Sequence, residues 1–164
     1  MAETHCGTKE DVLRILEICR EIEECMAGLY HYYAEIFSDT PDMSKLWEKT
    51  AREEENHANQ FALAINLRRQ GVVQAVNTDL FTAETILNKL KSIYATVKQT
   101  RPAIADALRS AIKIEEKLAA YHMSSLALFQ DESYRKLFEA MMKNDQGHIV
   151  SLERAFKTVM EKPL

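Results

Sequence analysis

The chain has 164 residues, enough for one domain with a sizeable core, and its 46% hydrophobic and 28% charged residues are ordinary for a globular protein. A formal net charge of −4 provides no basic surface for nucleic acid or an anionic membrane, and no apolar run is long enough for a membrane span or a leader peptide. Four Gly and three Pro can separate only a handful of elements, which favours long helices over many short strands.

Residues 1–7 read as a loose terminus, and Thr8 with Asp11 resembles a capping box. A first helix then runs to about Phe37, with an inner stripe of Leu16, Cys19, Glu23, Met26, Tyr30, Tyr33 and Phe37. Glu23 interrupts this apolar seam. An ionised carboxylate there costs several kcal/mol unless it is paired or coordinated. Thr40 reads as the N-cap and Pro41 as the first residue of a second helix, which ends at Gln70 before Gly71. Its inner stripe is Trp47, Ala51, Glu54, His57, Ala58, Phe61 and Ile65, and Glu53 and Glu55 are expected to face water or the bundle rim.

Residues 72–101 read as a crossover: a linker over 72–81, then an amphipathic helix from an N-cap at Thr82 to about Lys98. Pro102 opens a third bundle helix, expected to continue to about Phe129 through Leu108, Ala111, Glu115, Leu118, His122 and Ser125. Asp131 reads as the cap of a fourth, running to about Glu161 through Tyr134, Leu137, Phe138, Met141, Asp145, His148, Leu152, Ala155 and Val159. The expected fold is all-α: an antiparallel four-helix bundle over residues 1–164, with a long crossover that contains an extra helix.

The bundle helices repeat. Ile22-Glu23-Glu24-Cys25-Met26-Ala27 matches Ile114-Glu115-Glu116-Lys117-Leu118-Ala119. Glu23 to Glu115 and His57 to His148 are separations that differ by one residue. Glu54 and His57 stand three apart, hence on one face of a helix, and Asp145 and His148 repeat that pair. An acid from each of two helices and an acid-x-x-His pair from each of the others is the ligand pattern of two-metal carboxylate bundles. Glu23, Glu54, His57, Glu115, Asp145 and His148 are therefore the candidate ligands. Four carboxylates balance two divalent ions, carboxylates can bridge, and without metal the acids repel one another and take up protons.

Tyr30 and His122 occupy equivalent positions, each seven after its helix's central acid. Each can hydrogen-bond a ligand, His122 can alternatively bind metal, and plain packing suits both equally. His5 and His31 lie off the seams and are expected at the surface. Cys6, Cys19 and Cys25 are an odd set with no Cys-x-x-Cys, which reads as reduced thiols in a cytoplasmic protein and excludes a four-cysteine metal site within this chain. Cys19 and Cys25 point in different directions on one helix and should not bridge each other.

On these residues the chain resembles the rubrerythrin family of the ferritin-like superfamily. Ala51-Arg52-Glu53-Glu54-Glu55-Asn56-His57-Ala58 is similar to that family's second-helix signature, and Glu23 with Tyr30 to its first; the likeness spans roughly residues 10–160. The resemblance implies two iron ions, with Mn or Zn as alternatives, and a non-haem di-iron oxidoreductase that reacts with hydrogen peroxide or dioxygen. A ferroxidase or iron-storage protein is the second expectation, and a non-catalytic metal-binding bundle for interaction or sensing the third. The cysteine-rich rubredoxin-like tail of full rubrerythrins is absent, so the electron donor is expected to be another protein or Fe²⁺ itself. A homodimer is expected for the enzyme and a large shell for iron storage. Asp145 stands where the family usually has Glu, and its shorter side chain implies a weaker second site.

Overall fold

The computed structural model of the chain describes residues 9–122, 126–143 and 147–162. Two unbroken helices dominate: α1 (Lys9–Ile36) and α2 (Pro41–Arg69), packed against each other along most of their length. Every member of the two stripes read from the sequence is buried. Trp47 seals the seam, with its ring 5.5 Å from Tyr30 and 4.8 Å from Tyr33. Pro41 opens α2 as expected, but Thr40 makes no side-chain cap; its carbonyl accepts from the amides of Met43 and Ser44 instead. Gly71, at φ +81°, closes α2, with the amides of Gly71 and Val72 donating to the carbonyls of Arg68 and Leu67.

The crossover carries β1 (Val73–Val76) and then α3 (Leu80–Thr100). Asp79, rather than Thr82, caps α3: its carboxylate accepts from the Thr82 amide at 2.8 Å and hydroxyl at 2.7 Å. α3 lies on α1, where Tyr94 fits against Gly28 and Lys91 reaches Glu21 at 3.5 Å.

The second half departs from the expected pair of long helices. α4 (Ile104–Leu118) gives way to a 3₁₀ turn over Ala119–Tyr121, and Ala127–Phe129 is a strand, β2, rather than the end of a helix. β2 pairs antiparallel with β1, Val73 opposite Phe129 and Val76 opposite Ala127, with an irregularity between Val73 and Ala75. The Val72-Val73 and Val76 β-branched residues, read as linker, supply one side of this ribbon. Asp131 accepts from the Ser133 amide at 2.7 Å at the start of α5 (Glu132–Lys143). α6 (His148–Glu161) follows Gly147, which at φ +134° cannot sit within a helix. The expected fourth helix is thus two, and Leu137 of its stripe is 47% exposed while Phe138 is buried. α4 packs on α6, which also touches α2, so the architecture remains an all-α bundle of ferritin-like type.

Cys19 and Cys25 are free; burial raises the pKa of both thiols, which keeps them protonated. Thr8, His5 and Cys6 lie outside the described residues. Among the described residues no helix is long and apolar enough to cross a membrane.

Candidate metal centre

Glu23 sits midway along α1, and Glu54 and His57 occupy one face midway along α2. Continuous backbone hydrogen bonding on both sides fixes their direction, because a helix interior leaves no backbone group free to rearrange. Glu115 lies in the last turn of α4, and His148 is the first residue of α6. These five side chains converge and are at most 5% exposed. Asp145, the sixth expected ligand, lies outside the described residues, as does Ser125.

Glu54 is the centre of the arrangement. Its Oε2 lies 3.1 Å from His57 Nδ1, while its Oε1 lies 3.3 Å from His148 Nδ1. His57 Nδ1 is also 3.7 Å from Glu23 Oε2, and His148 Nε2 is 3.6 Å from Glu115 Oε2. Two groups result, Glu23–Glu54–His57 and Glu54–Glu115–His148, each with donor atoms within 4.8 Å of one another. The two imidazoles stand edge to face at 5.7 Å.

Tyr30 donates a short hydrogen bond to Glu115 Oε1, so a phenol from the first hairpin orients an acid of the second half. His122, just past the 3₁₀ turn, places its ring 4.9 Å from that of His57 and 6.4 Å from that of His148. Both residues that the repeat paired therefore line the acid–histidine cluster. His31 is exposed and 2.7 Å from Glu55, as its off-seam position implies. Glu53, expected in water or at the bundle rim, lies at the rim, half-buried, with its Oε2 3.2 Å from His148 Nδ1.

So many charges under low exposure perturb one another. Burial, and then repulsion from Glu115 and Glu23, push Glu54 well above the usual carboxylate range. Burial raises Glu115 too, although His148 and the Tyr30 hydroxyl pull the other way. Glu23 is lowered: burial acts upward, but contacts from His57 and Glu54 outweigh it. Tyr30 is raised well above 10 by burial and by Glu115, and remains a donor. Burial and the neighbouring His57 pull His122 down to about 4, so it is a neutral imidazole at neutral pH.

The residues fit a divalent cation. Glu54 Oε1, His148 Nδ1 and His122 Nδ1 are buried and make no hydrogen bond. Buried polar atoms normally find a partner, since leaving one unmet costs roughly 1–3 kcal/mol. Carboxylate oxygens and imidazole nitrogens are the donor set of iron and manganese, and the two carboxylates that hold protons without metal can surrender them to it.

The fold and this centre together define a helical carboxylate–histidine protein of ferritin-like type. The family model for rubrerythrin matches residues 15–156, nearly the whole chain, and the chain belongs to that family. No curated protein and no solved structure matches it.

Proposed function

We propose that the chain is a non-haem di-iron oxidoreductase that reacts with hydrogen peroxide or dioxygen. Glu54 carries this reading: its two oxygens face two different histidines, so one carboxylate belongs to both metal-capable groups. Glu23, Glu54 and His57 would hold one iron, and Glu54, Glu115 and His148 the other. Two ferrous ions so held would supply two electrons, enough to cleave the oxygen–oxygen bond of hydrogen peroxide to give water or to reduce dioxygen to peroxide.

The chain's own residues do the rest. Burial of the ligands keeps bulk water from the reacting oxygen atoms. Tyr30 holds Glu115 in one orientation through its hydrogen bond. Glu54 and Glu115 release their protons as cations bind, so uptake of metal weakens as pH falls. Electrons would come from an external donor protein or from Fe²⁺. The proposed protein is a cytoplasmic homodimer with no nucleic-acid or membrane partner.

Anaerobic Fe²⁺ titration is expected to saturate near two equivalents, followed by stoichiometric oxidation on adding peroxide or dioxygen. Re-reduction by a donor with continued turnover is the expected behaviour of the oxidoreductase. Accumulation of Fe³⁺ beyond two equivalents would instead identify iron as the substrate, making the protein a ferroxidase. Saturation at one equivalent or fewer, in folded protein, would end the two-metal reading.

A further inference from the structure

Four of the chain's six tyrosines and its one tryptophan stand in series. The series begins at the metal centre, where the Tyr30 hydroxyl donates to Glu115 Oε1. The Tyr30 ring stacks on Trp47 with centroids 5.5 Å apart, and Trp47 meets Tyr33 at 4.8 Å. Burial, and then the phenol of Tyr32 beside it, push the Tyr33 hydroxyl up to about 12. Tyr32 in turn lies 6.4 Å from Tyr94 of α3 and donates to the Lys98 carbonyl at 3.4 Å. Tyr30, Trp47 and Tyr33 are at most 1% exposed, whereas Tyr32 and Tyr94 are half-buried beside the exposed Lys98. Rings on a helical seam ordinarily mean packing, and Phe would pack this seam as well. The polar atoms argue for more. Trp47 Nε1 is buried and meets no acceptor, a cost of roughly 1–3 kcal/mol that Phe would avoid. What distinguishes Tyr and Trp from Phe chemically is that they give up one electron far more readily. Electron transfer weakens steeply with distance, so short hops between neighbouring rings outrun one long step.

We propose that Tyr30, Trp47, Tyr33, Tyr32 and Tyr94 form a relay by which an oxidising equivalent leaves the metal centre for the α1–α3 surface, where a small anionic one-electron reductant discharges it. The inference rests on the two-metal reading and leaves every ligand where that reading puts it. The relay serves when hydrogen peroxide meets a centre that holds one ferrous ion instead of two. Reduction of peroxide to water takes two electrons and two protons; one electron then comes from iron and the other from the relay. Tyr30 gives up that electron, and its hydroxyl proton passes to Glu115 Oε1. Trp47 returns an electron to Tyr30, and the proton comes back. With no acceptor for its N–H, Trp47 keeps its own proton and carries the positive charge until Tyr33 refills it. In net, one electron moves inward from Tyr94 to the centre. The outermost phenol releases one proton to water and regains electron and proton from the reductant. The Lys98 ammonium, 4.5 Å over the Tyr94 ring, suits an anionic reductant at that end.

The inner hops can be read without metal. Flash photoionisation of Trp47, the only tryptophan, in the metal-free full chain is expected to give a tryptophan radical that decays into a tyrosine phenoxyl at a rate independent of protein concentration. The phenoxyl is expected to vanish only when Tyr30 and Tyr33 are both replaced by Phe. In the Fe²⁺-loaded chain, peroxide with a nitroso spin trap is expected to leave adducts on Tyr94 or Tyr32, located by mass spectrometry, and none once ascorbate is present. Those adducts are expected to be lost in Tyr33→Phe and in Trp47→Phe with Fe²⁺ uptake unchanged, which reports that both variants are folded. A tryptophan radical that never passes to tyrosine, Tyr94 adducts that persist in Tyr33→Phe, or equal adducts on Tyr121 and Tyr134 away from the series would overturn the relay and leave the two-metal centre standing. Failure of the wild-type chain to take up any Fe²⁺ would overturn both.

Discussion

The α1–α2 hairpin and the segment from α4 to α6 carry matching acids and histidines, yet they present them in different ways. In the first half Glu23, Glu54 and His57 stand in the middle of helices of 28 and 29 residues. In the second, Glu115 lies in the last turn of a helix of 15 and His148 begins one of 14. A side chain in mid-helix is fixed by hydrogen bonds on both sides, whereas one at a helix end moves with the turn beside it. The repeat in sequence therefore yields one half-site mounted in mid-helix and one mounted at helix ends, joined by Glu54.

The largest expected effect distinguishes the two halves by stability. Trp47 is fully buried between Tyr30 and Tyr33, so Trp47→Ala should cost about 3–5 kcal/mol and lower the cooperative melt of the whole chain. Phe138 is as fully buried, but it stacks on Phe129 at 5.1 Å and ties α5 to the small ribbon. Phe138→Ala should open α5 to amide exchange while α1 and α2 stay protected. Equal loss of protection everywhere in both variants would mean the halves are equally rigid.

Next is Glu54→Gln. Because both groups share Glu54, this single change should weaken both ions, whereas Glu23→Gln should weaken only the ion beside His57. With free metal at about 100 times Kd, each occupied site stabilises by about 2.7 kcal/mol. At about 2–4 °C per kcal/mol, a metal-dependent rise in Tm of roughly 5–10 °C per site should vanish in Glu54→Gln. Thermal melts with and without Mn²⁺ read this directly. A full shift retained in the variant would show that Glu54 bridges nothing.

How legible this was depended on the half. The stripes of α1 and α2 were fully readable, because steps of three and four continue without interruption and every stripe residue proved buried. The second half carried the same steps, and they misled. Gly147 stands between Asp145 and His148, and its φ of +134° keeps it out of the helix that His148 begins, which the acid-x-x-His spacing does not report. The strand over Ala127–Phe129 pairs with a segment some fifty residues earlier, and no local pattern reports such pairing. The contact between Glu53 and His148 was not legible for a related reason. Helical angle sends it beside the seam, which is right, but only the arrival of α6 on that side brings His148 within 3.2 Å of it.

A smaller effect is the pH dependence of the metal-free protein. Glu54 and Glu115 have raised folded pKa values, so the stability they contribute is full below 4.5 and is lost as pH rises through those raised values. Lowering pH from about 8 should therefore stabilise the metal-free chain and, by protonating ligands, destabilise the loaded one. His122 opposes the first trend below 6.5, because its folded pKa is depressed to about 4 and the unfolded chain takes up the proton first. Glu23, also depressed, enters only below 4.5. The quantity to measure is the difference between wild type and Glu54→Gln, in which His122 cancels. A difference that does not change with pH would mean Glu54 is ionised in the metal-free fold.

The smallest effects compare one glycine from each half. Gly147→Ala meets no atom within 4 Å, so its cost is purely conformational: φ +134° is strained for any side chain, by roughly 1–3 kcal/mol. Relief of that strain rotates the backbone just before His148, so the variant should lose affinity at one metal more than it loses helix. Gly28→Ala sets two small terms against each other. Alanine gains about 0.8–1.0 kcal/mol of helix propensity inside α1, but its Cβ would lie 3.2 Å from Tyr94 Cε1. Tyr94 is not locked: it is half-buried, beside Tyr32 at 6.4 Å and under the Lys98 ammonium at 4.5 Å, and it can give by a few tenths of an ångström. The net change should fall within about 0.5 kcal/mol of zero, with metal uptake untouched. Parallel melts and Zn²⁺ titrations of the two variants check both. If Gly28→Ala disturbed metal binding as much as Gly147→Ala, α1 would be no firmer a mount for Glu23 than the turn at Gly147 is for His148.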